Sequence, residues 1–150
     1  MKTILTYIIF IAVVLGCGLL IGLNFMPGAW YAALAKPPFN PPNWIFGPVW
    51  SILYVLIGTA GARTFLREGI SGAFMVWLAQ LVLNFLWSPA FFGAKEPGLA
   101  LAVILPMLAT ILAFIAMRWR VDRIAAWAFL PYAAWVGFAT LLNASIVWLN

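Results

Sequence analysis

Residues 69–94 read GISGAFMVWLAQLVLNFLWSPAFFGA, a run of 26 positions without one charged side chain. Crossing the hydrocarbon core of a bilayer as a helix takes about 20 residues, so this run is long enough to span. Four more charge-free runs flank it, at 3–35, 37–62, 97–117 and 124–150, with lengths of 33, 26, 21 and 27. The chain as a whole is 67% hydrophobic and 7% charged, whereas soluble domains carry about 25% charged residues. In hydrocarbon every backbone N–H and C=O must bond within the protein, which leaves the helix as the natural form of each run. The expected fold is an all-α integral membrane protein, one domain over 1–150 built as a bundle of five transmembrane helices. The spans fall at about 4–26, 42–66, 70–93, 97–118 and 123–149. A soluble enzyme, a nucleic-acid binder and a disordered chain are excluded.

Five spans put the two termini on opposite faces. One face then collects the N-terminus and the loops at 63–68 and 118–123, with Lys2, Arg63, Arg67, Arg118, Arg120 and Arg123; the other keeps only Lys36 and Lys95. Such a bias marks the cytoplasmic side, so the expectation is a multi-pass protein of the bacterial inner membrane, N-terminus cytoplasmic and C-terminus periplasmic. The net charge of +5 is explained by this topology without an anionic partner. Cys17 is the single cysteine, so no intrachain disulfide is possible. Val14-Leu15-Gly16-Cys17 faintly matches a lipoprotein signal, but the apolar stretch runs on through Leu23, longer than a signal-peptide core, and is expected to stay as the first helix.

The connections after the second, third and fourth spans are a few residues long, so sequential helices are expected to pack antiparallel as neighbours. Gly18 and Gly22 in the first span, and Gly58 and Ala62 in the second, have the small-xxx-small spacing that lets helix backbones approach. The exception to short loops is 27–41, with four of the ten prolines, Pro42 just beyond and the Trp30-Tyr31 pair. Proline fixes φ and pushes its predecessor toward extended structure, which predicts a stiff non-helical strap over 36–42. Pro41 or Pro42 suits the first turn of the second span. The strap reads as a lid, with an interfacial aromatic anchor as the alternative.

The chain has no histidine, and its charges lie at predicted span ends or loops. Proton-coupled pumping through an intramembrane carboxylate, His-based haem or zinc ligation and Ser-His-Asp chemistry therefore lack their residues. No metal site and no required cofactor are expected. Nine tryptophans and a few neutral polar groups remain. At 1.5 Å per residue, Trp50 lies about 12 Å below the poorly charged face, Trp87 about 9 Å, Asn84 about 13–14 Å, and Asn143, Ala139 and Trp135 about 9, 15 and 21 Å. Gln80, Asn84 and Ser88 share one helix face beside Trp87 and Phe91; Tyr132, Trp135, Ala139 and Asn143 form a second stripe. Amides do not face lipid cheaply, so they point inward. They line a site for a flat, mostly apolar ligand, or they bond helices together while the indoles fill core.

These residues carry a resemblance. Trp30-Tyr31, Leu34-Ala35-Lys36-Pro37-Pro38-Phe39-Asn40-Pro41-Pro42-Asn43-Trp44, Gly47-Pro48-Val49-Trp50 and Leu53-Tyr54 resemble the loop-one signature of the TspO / translocator protein family, also called the tryptophan-rich sensory protein or peripheral-type benzodiazepine receptor family. Leu83-Asn84-Phe85-Leu86-Trp87 with Phe91-Phe92-Gly93 is similar to its third-helix motif. Leu130-Pro131-Tyr132-Ala133-Ala134-Trp135 and Phe138-Ala139-Thr140-Leu141-Leu142-Asn143 are similar to its fifth. The resemblance covers nearly the whole chain. It implies a five-helix bundle, often a homodimer, that binds protoporphyrin IX and other tetrapyrroles in a cavity closed by loop one. Some family members bind sterols or benzodiazepine-type ligands, and bacterial ones act in stress or tetrapyrrole regulation. Some degrade protoporphyrin in light and oxygen through two tryptophans, here Trp50 and Trp135. The expected ligand-binding set is Trp30, Trp44, Phe46, Trp50, Tyr54, Asn84, Trp87, Ser88, Tyr132, Trp135, Ala139 and Asn143.

Three positions depart from the pattern. Phe39 replaces a frequent tryptophan in the strap, and Leu99 stands where animal members place a ligand-contacting tryptophan. No basic residue follows Arg123, so Tyr132 lacks the partner that the sterol-recognition pattern needs, which puts sterol binding in doubt. The leading expectation is a receptor or transporter-like binder of porphyrins. Its rivals are a light-dependent porphyrin-degrading enzyme using Trp50 and Trp135, and a regulatory membrane scaffold.

Overall fold

The computed structural model describes all residues, 1–150, and it is helical with no strand. Five helical segments are long and apolar enough to cross a membrane: Lys2–Asn24, Asn43–Glu68, Gly72–Gly93, Pro97–Arg118 and Arg123–Leu149. In chain order the α-helices are α1 (Lys2–Asn24), α2 (Ala29–Ala33), α3 (Phe46–Glu68), α4 (Gly72–Ser88), α5 (Pro97–Arg118) and α6 (Arg123–Leu149). One end of the bundle carries Arg63, Arg67, Arg118 and Asp122 and is called the arginine end; the other carries the 27–41 segment and is called the loop end. Exposed indoles ring both ends, Trp44 and Trp148 at the loop end, Trp119 and Trp127 at the arginine end, as membrane boundaries favour.

Local chemistry accounts for the ends and breaks of these helices. Ser71 caps α4, its Oγ accepting from the Phe74 N–H at 3.2 Å, which satisfies a donor that the first turn would otherwise leave free. Gly69, at φ +65, ends α3 in the left-handed region that glycine enters without strain. The third span does not remain α-helical to its end. Pro89 has no N–H to donate, and the chain continues as a π-helical turn over Pro89–Gly93, closed by the Ala94 N–H on the Pro89 carbonyl at 2.8 Å. At the second span the proline in the first turn of α3 is Pro48, while Pro41 and Pro42 lie ahead of a 3₁₀ turn, Asn43–Ile45. The strap over 36–42 is non-helical as its prolines predict, but Ala29–Ala33 ahead of it forms the short helix α2.

The packing order differs from the chain order. Helix α1 lies along α3, α3 on α6, α6 on α5 and α5 on α4, so that α4 meets α3 and α1 only sparsely. The short link at 69–71 therefore does not make α3 and α4 close neighbours. Trp77 explains the gap. Its ring is wedged between the two helices against Gly61, where any Cβ would overlap it, and its indole N–H donates to the Ile57 carbonyl at 2.9 Å. A second correction concerns 63–68, expected as a loop: it is the last part of α3. Arg63 tolerates a half-buried helical position because Asp122 neutralises it there.

One glycine of each small-residue pair serves packing within the chain. Gly58 presses on the backbone of Ile11 in α1, and Gly18 lies under the ring of Tyr54. The arginine-end half of the bundle is packed solid. Phe114 meets Phe129 with centroids 4.3 Å apart, and Phe74 stacks on Trp77 at 5.5 Å. The loop-end half is not solid.

Candidate ligand-binding cavity

A cavity of about 240 Å³ occupies that half, beneath the 27–41 segment. Helix α3 brings Phe46, Trp50 and Tyr54 to it at one-turn intervals, with the Trp50 and Tyr54 rings 5.4 Å apart. From α4 come Asn84, Trp87 and Ser88, and the π-helical turn adds Phe91 and Phe92. Helix α6 contributes Trp135, Ala139 and Asn143. The stripes read from the sequence thus converge on one space, across three helices far apart in the chain.

Not every expected residue reaches it. Trp44 sits on the 3₁₀ turn with 73% of its surface exposed, facing away. Trp30 packs edge-on against Phe91 at 5.7 Å, from outside the wall. Tyr132 is wholly buried one layer below the floor. Other residues line the cavity that sequence reasoning passed over. Gly18 and Gly22 of α1 face it, as do Ile104 and Met107 of α5. The glycine pair was the available signal for α1, since glycines that meet a ring on one turn leave room on the next. Helix α5 is apolar all round near these positions, so no pattern distinguished its inner face.

The amides are both wall and glue. Asn143 accepts from the Trp87 indole N–H at 3.0 Å and donates to the Pro97 carbonyl at 2.9 Å, which fixes α6 to the end of α4 and to the start of α5. Tyr54 donates its O–H to Asn84 Oδ1 at 3.3 Å, and Asn84 Nδ2 donates to the Tyr132 oxygen at 2.7 Å. Tyr132 in turn donates to Gln80 Oε1 at 2.8 Å, and Gln80 Nε2 to the Trp77 carbonyl at 2.7 Å. This relay satisfies every polar group of the floor without water, as burial in a low-dielectric interior requires. Replacing Tyr132 with Phe strands Asn84 Nδ2 and Gln80 Oε1 and is expected to cost about 1–3 kcal/mol of stability, read by thermal unfolding in detergent; an unchanged midpoint would contradict the relay. One buried polar atom of a lining residue has no partner. The Trp135 indole N–H is buried and unbonded.

No charged residue lines the cavity. The nearest cation of the loop, Lys36, is fully engaged: its ammonium donates to the carbonyls of Tyr31, Ala32 and Leu34 at 2.8, 3.2 and 3.0 Å. It also lies 4.8 Å from the centre of the Tyr31 ring. It serves as the C-terminal cap of α2, where a positive charge complements the free carbonyls. Burial pushes the Tyr31 hydroxyl above its ordinary value, so it stays neutral.

The arginine end is closed by two ion pairs. Arg63 binds Asp122 through Nε and Nη2 at 2.9 and 3.0 Å and donates from Nη1 to the Tyr7 hydroxyl at 3.2 Å. Arg118 binds Glu68 at 3.0 Å. Burial acts to raise the Asp122 carboxyl, but its bonds to Arg63 outweigh that and hold it below the ordinary carboxylate value. A lowered folded-state value means stability that is full above the ordinary carboxyl pKa, about 4, and lost as pH falls through the folded one. Wild type is therefore expected to lose thermal stability below about pH 4, and Asp122→Asn to be less stable at neutral pH yet flatter over that acid range. An equal acid slope in both proteins would remove Asp122 from the account.

With this geometry, the similarities to known proteins acquire a place. The TspO/MBR family profile matches residues 9–149, which spans all five helices and the loop. The chain is 36% identical over 157 aligned positions to the tryptophan-rich protein TspO of Chlorobaculum tepidum, covering 99% of this chain and 98% of that one. It is 39% identical over 129 positions to the tryptophan-rich sensory protein of Cereibacter sphaeroides, covering 86% and 82%. To the translocator protein of Homo sapiens it is 38% identical over 138 positions, covering 86% and 80%. Matches of this extent run through every wall of the cavity, and the chain, an integral multi-pass membrane protein, belongs to the TspO/MBR family.

Proposed function

We propose that this protein is a membrane receptor for porphyrins, protoporphyrin IX among them, and for related flat hydrophobic ligands, acting in tetrapyrrole or stress regulation. The observation that carries this reading is an uncharged cavity walled by Trp50, Trp87 and Trp135 and covered by the 27–41 loop. Indole faces suit a planar macrocycle. The relatives' names, sensory and translocator, fit a protein that recognises a ligand at the membrane. A cavity of about 240 Å³ is below the usual 300–1,000 Å³ of drug-sized sites, so the loop opens to admit a macrocycle and the walls widen to hold it beneath the closed loop, with its carboxylates at the rim. The arginine end faces the cytoplasm and the loop end the periplasm of a bacterial inner membrane, in keeping with the arginine bias. A reporter fused after Asn150 is then active only in the periplasm.

The test of binding is a Soret titration of protoporphyrin IX against the purified protein in nanodiscs. A saturable, stoichiometric shift supports the reading, and a shift equal to that of empty nanodiscs removes it. A second reading, light- and oxygen-dependent porphyrin degradation, draws on one observation: Trp50 and Trp135 face the same cavity, and Trp50 packs on Tyr54 and Tyr132 at 5.4 and 6.3 Å. Replacing Trp50 or Trp135 with Phe keeps an aromatic face and is expected to cost about 1 kcal/mol of affinity in a pure receptor. In an enzyme, light-driven loss of the Soret band falls far more than affinity does. Equal bleaching by wild type, both variants and free porphyrin leaves the receptor alone.

A further inference from the structure

The loop over the cavity behaves as one braced unit. Tyr31 donates its O–H to Asn40 at 2.9 Å, tying the start of the loop to its end, and Lys36 bonds three carbonyls within it. Against the bundle its contacts are aromatic and non-directional, such as Tyr31 on Phe92 at 5.5 Å and Phe39 on Phe138 at 6.1 Å. A single residue joins residues 27–41 to the transmembrane helices by hydrogen bonds. Asn150, directly after α6, donates from Nδ2 to the Ala35 carbonyl at 2.9 Å, and the Ala35 N–H donates to its Oδ1 at 3.1 Å. The amide thus pairs with the loop backbone at both donor and acceptor, as a neighbouring strand would. Nδ2 also donates to the Ile146 carbonyl at 2.9 Å, which anchors the amide to the last turn of α6.

We propose that Asn150 is a positioning residue that latches the 27–41 loop over the cavity, so that breaking this two-bond pair sets the rate of ligand exchange. The proposal rests on the reading of the cavity as a binding site. Ala35 and Asn150 are both exposed, so water competes for the pair and the latch can open without unfolding a helix. Opening swings the braced loop as a body, because its internal bonds are independent of Asn150.

The test begins without ligand. Amide hydrogen exchange is followed on the full chain in nanodiscs for wild type, Asn150→Ala and Asn150→Asp. In Asn150→Ala the amides of 29–41 are expected to exchange about tenfold faster, the scale of losing two solvent-exposed hydrogen bonds. Asn150→Asp keeps an acceptor for the Ala35 N–H but loses the donor to its carbonyl, and falls between. Unchanged exchange in 29–41, or acceleration confined to the last turn of α6, overturns the latch. Stopped-flow mixing with protoporphyrin IX then reads the consequence: on-rate and off-rate both rise in Asn150→Ala. A loosened loop with an unchanged off-rate also overturns the proposal, since the ligand would then leave sideways between helices. Failure of wild type to bind protoporphyrin at all counts against the receptor reading, while the exchange data still decide whether Asn150 holds the loop.

Discussion

Ala139→Trp is expected to abolish porphyrin binding, raising Kd at least about a hundredfold, roughly 2.7 kcal/mol. Ala139 faces the cavity from α6, one turn from both Trp135 and Asn143. An indole there is among the bulkiest side chains, and it projects into a space of only about 240 Å³. The macrocycle and the new ring cannot share it. Folding does not suffer in proportion, because the substitution fills empty space rather than an already packed core, and cavity filling is often neutral or stabilising. Ala134→Trp is the control, on the same helix but exposed to lipid. A Soret titration on the two variants checks the claim. If Ala139→Trp binds as wild type does, the ligand site lies elsewhere.

The largest expected loss of stability is at Gly58. A Cβ added there would lie 2.7 Å from the Ile11 Cα and 3.0 Å from its nitrogen. Those are backbone atoms, so no side chain can swing aside, and α1 must retreat along its length. Gly58→Ala is expected to cost about 1–3 kcal/mol, the usual range for overpacking, and Gly58→Leu to prevent folding. A glycine-to-alanine change within a helix otherwise gains up to about 1 kcal/mol in propensity, so the sign of the effect is diagnostic. Gly16→Ala, with nothing within 4 Å of its Cβ, is expected to be neutral or stabilising. Thermal unfolding in detergent separates the two. Equal midpoints for Gly58→Ala and Gly16→Ala would mean that α1 does not press on α3 as described. Because Gly18 and Gly22 of α1 form part of the cavity wall, a displaced α1 is also expected to weaken binding.

The amide and indole positions show how far the sequence reaches into the site. Counting residues from the span ends puts Trp50, Asn84, Trp87, Ala139 and Asn143 at similar depth, and the structure brings them to one cavity. Depth follows from helical rise alone, which is why it transfers. Direction around the helix axis is less legible. Trp44 and Trp30 carry the same residue type and lie in the same motif as Trp50, yet one faces out and the other backs the wall. Their orientation is set by the 3₁₀ turn and by α2, short elements for which the proline-rich sequence gave no phase.

What the sequence by itself determined is the number of spans, the loop between the first two and the face on which each charge lies. The bilayer enforces these: an uncharged apolar run must form a helix there, and arginine must stay near its ends. Only the tertiary structure decided which helix meets which, the pairing of Arg63 with Asp122, the wedge of Trp77 against Gly61 and the bond of Asn150 to Ala35. The physical reason is that lipid is as apolar as a protein core. A helix in water shows its buried face by where its polar residues stop, whereas a helix in lipid is hydrophobic on every side. Its neighbours are then chosen by close packing of small residues and by a few polar bonds whose partners, such as Asn84 with Tyr132, lie dozens of residues apart.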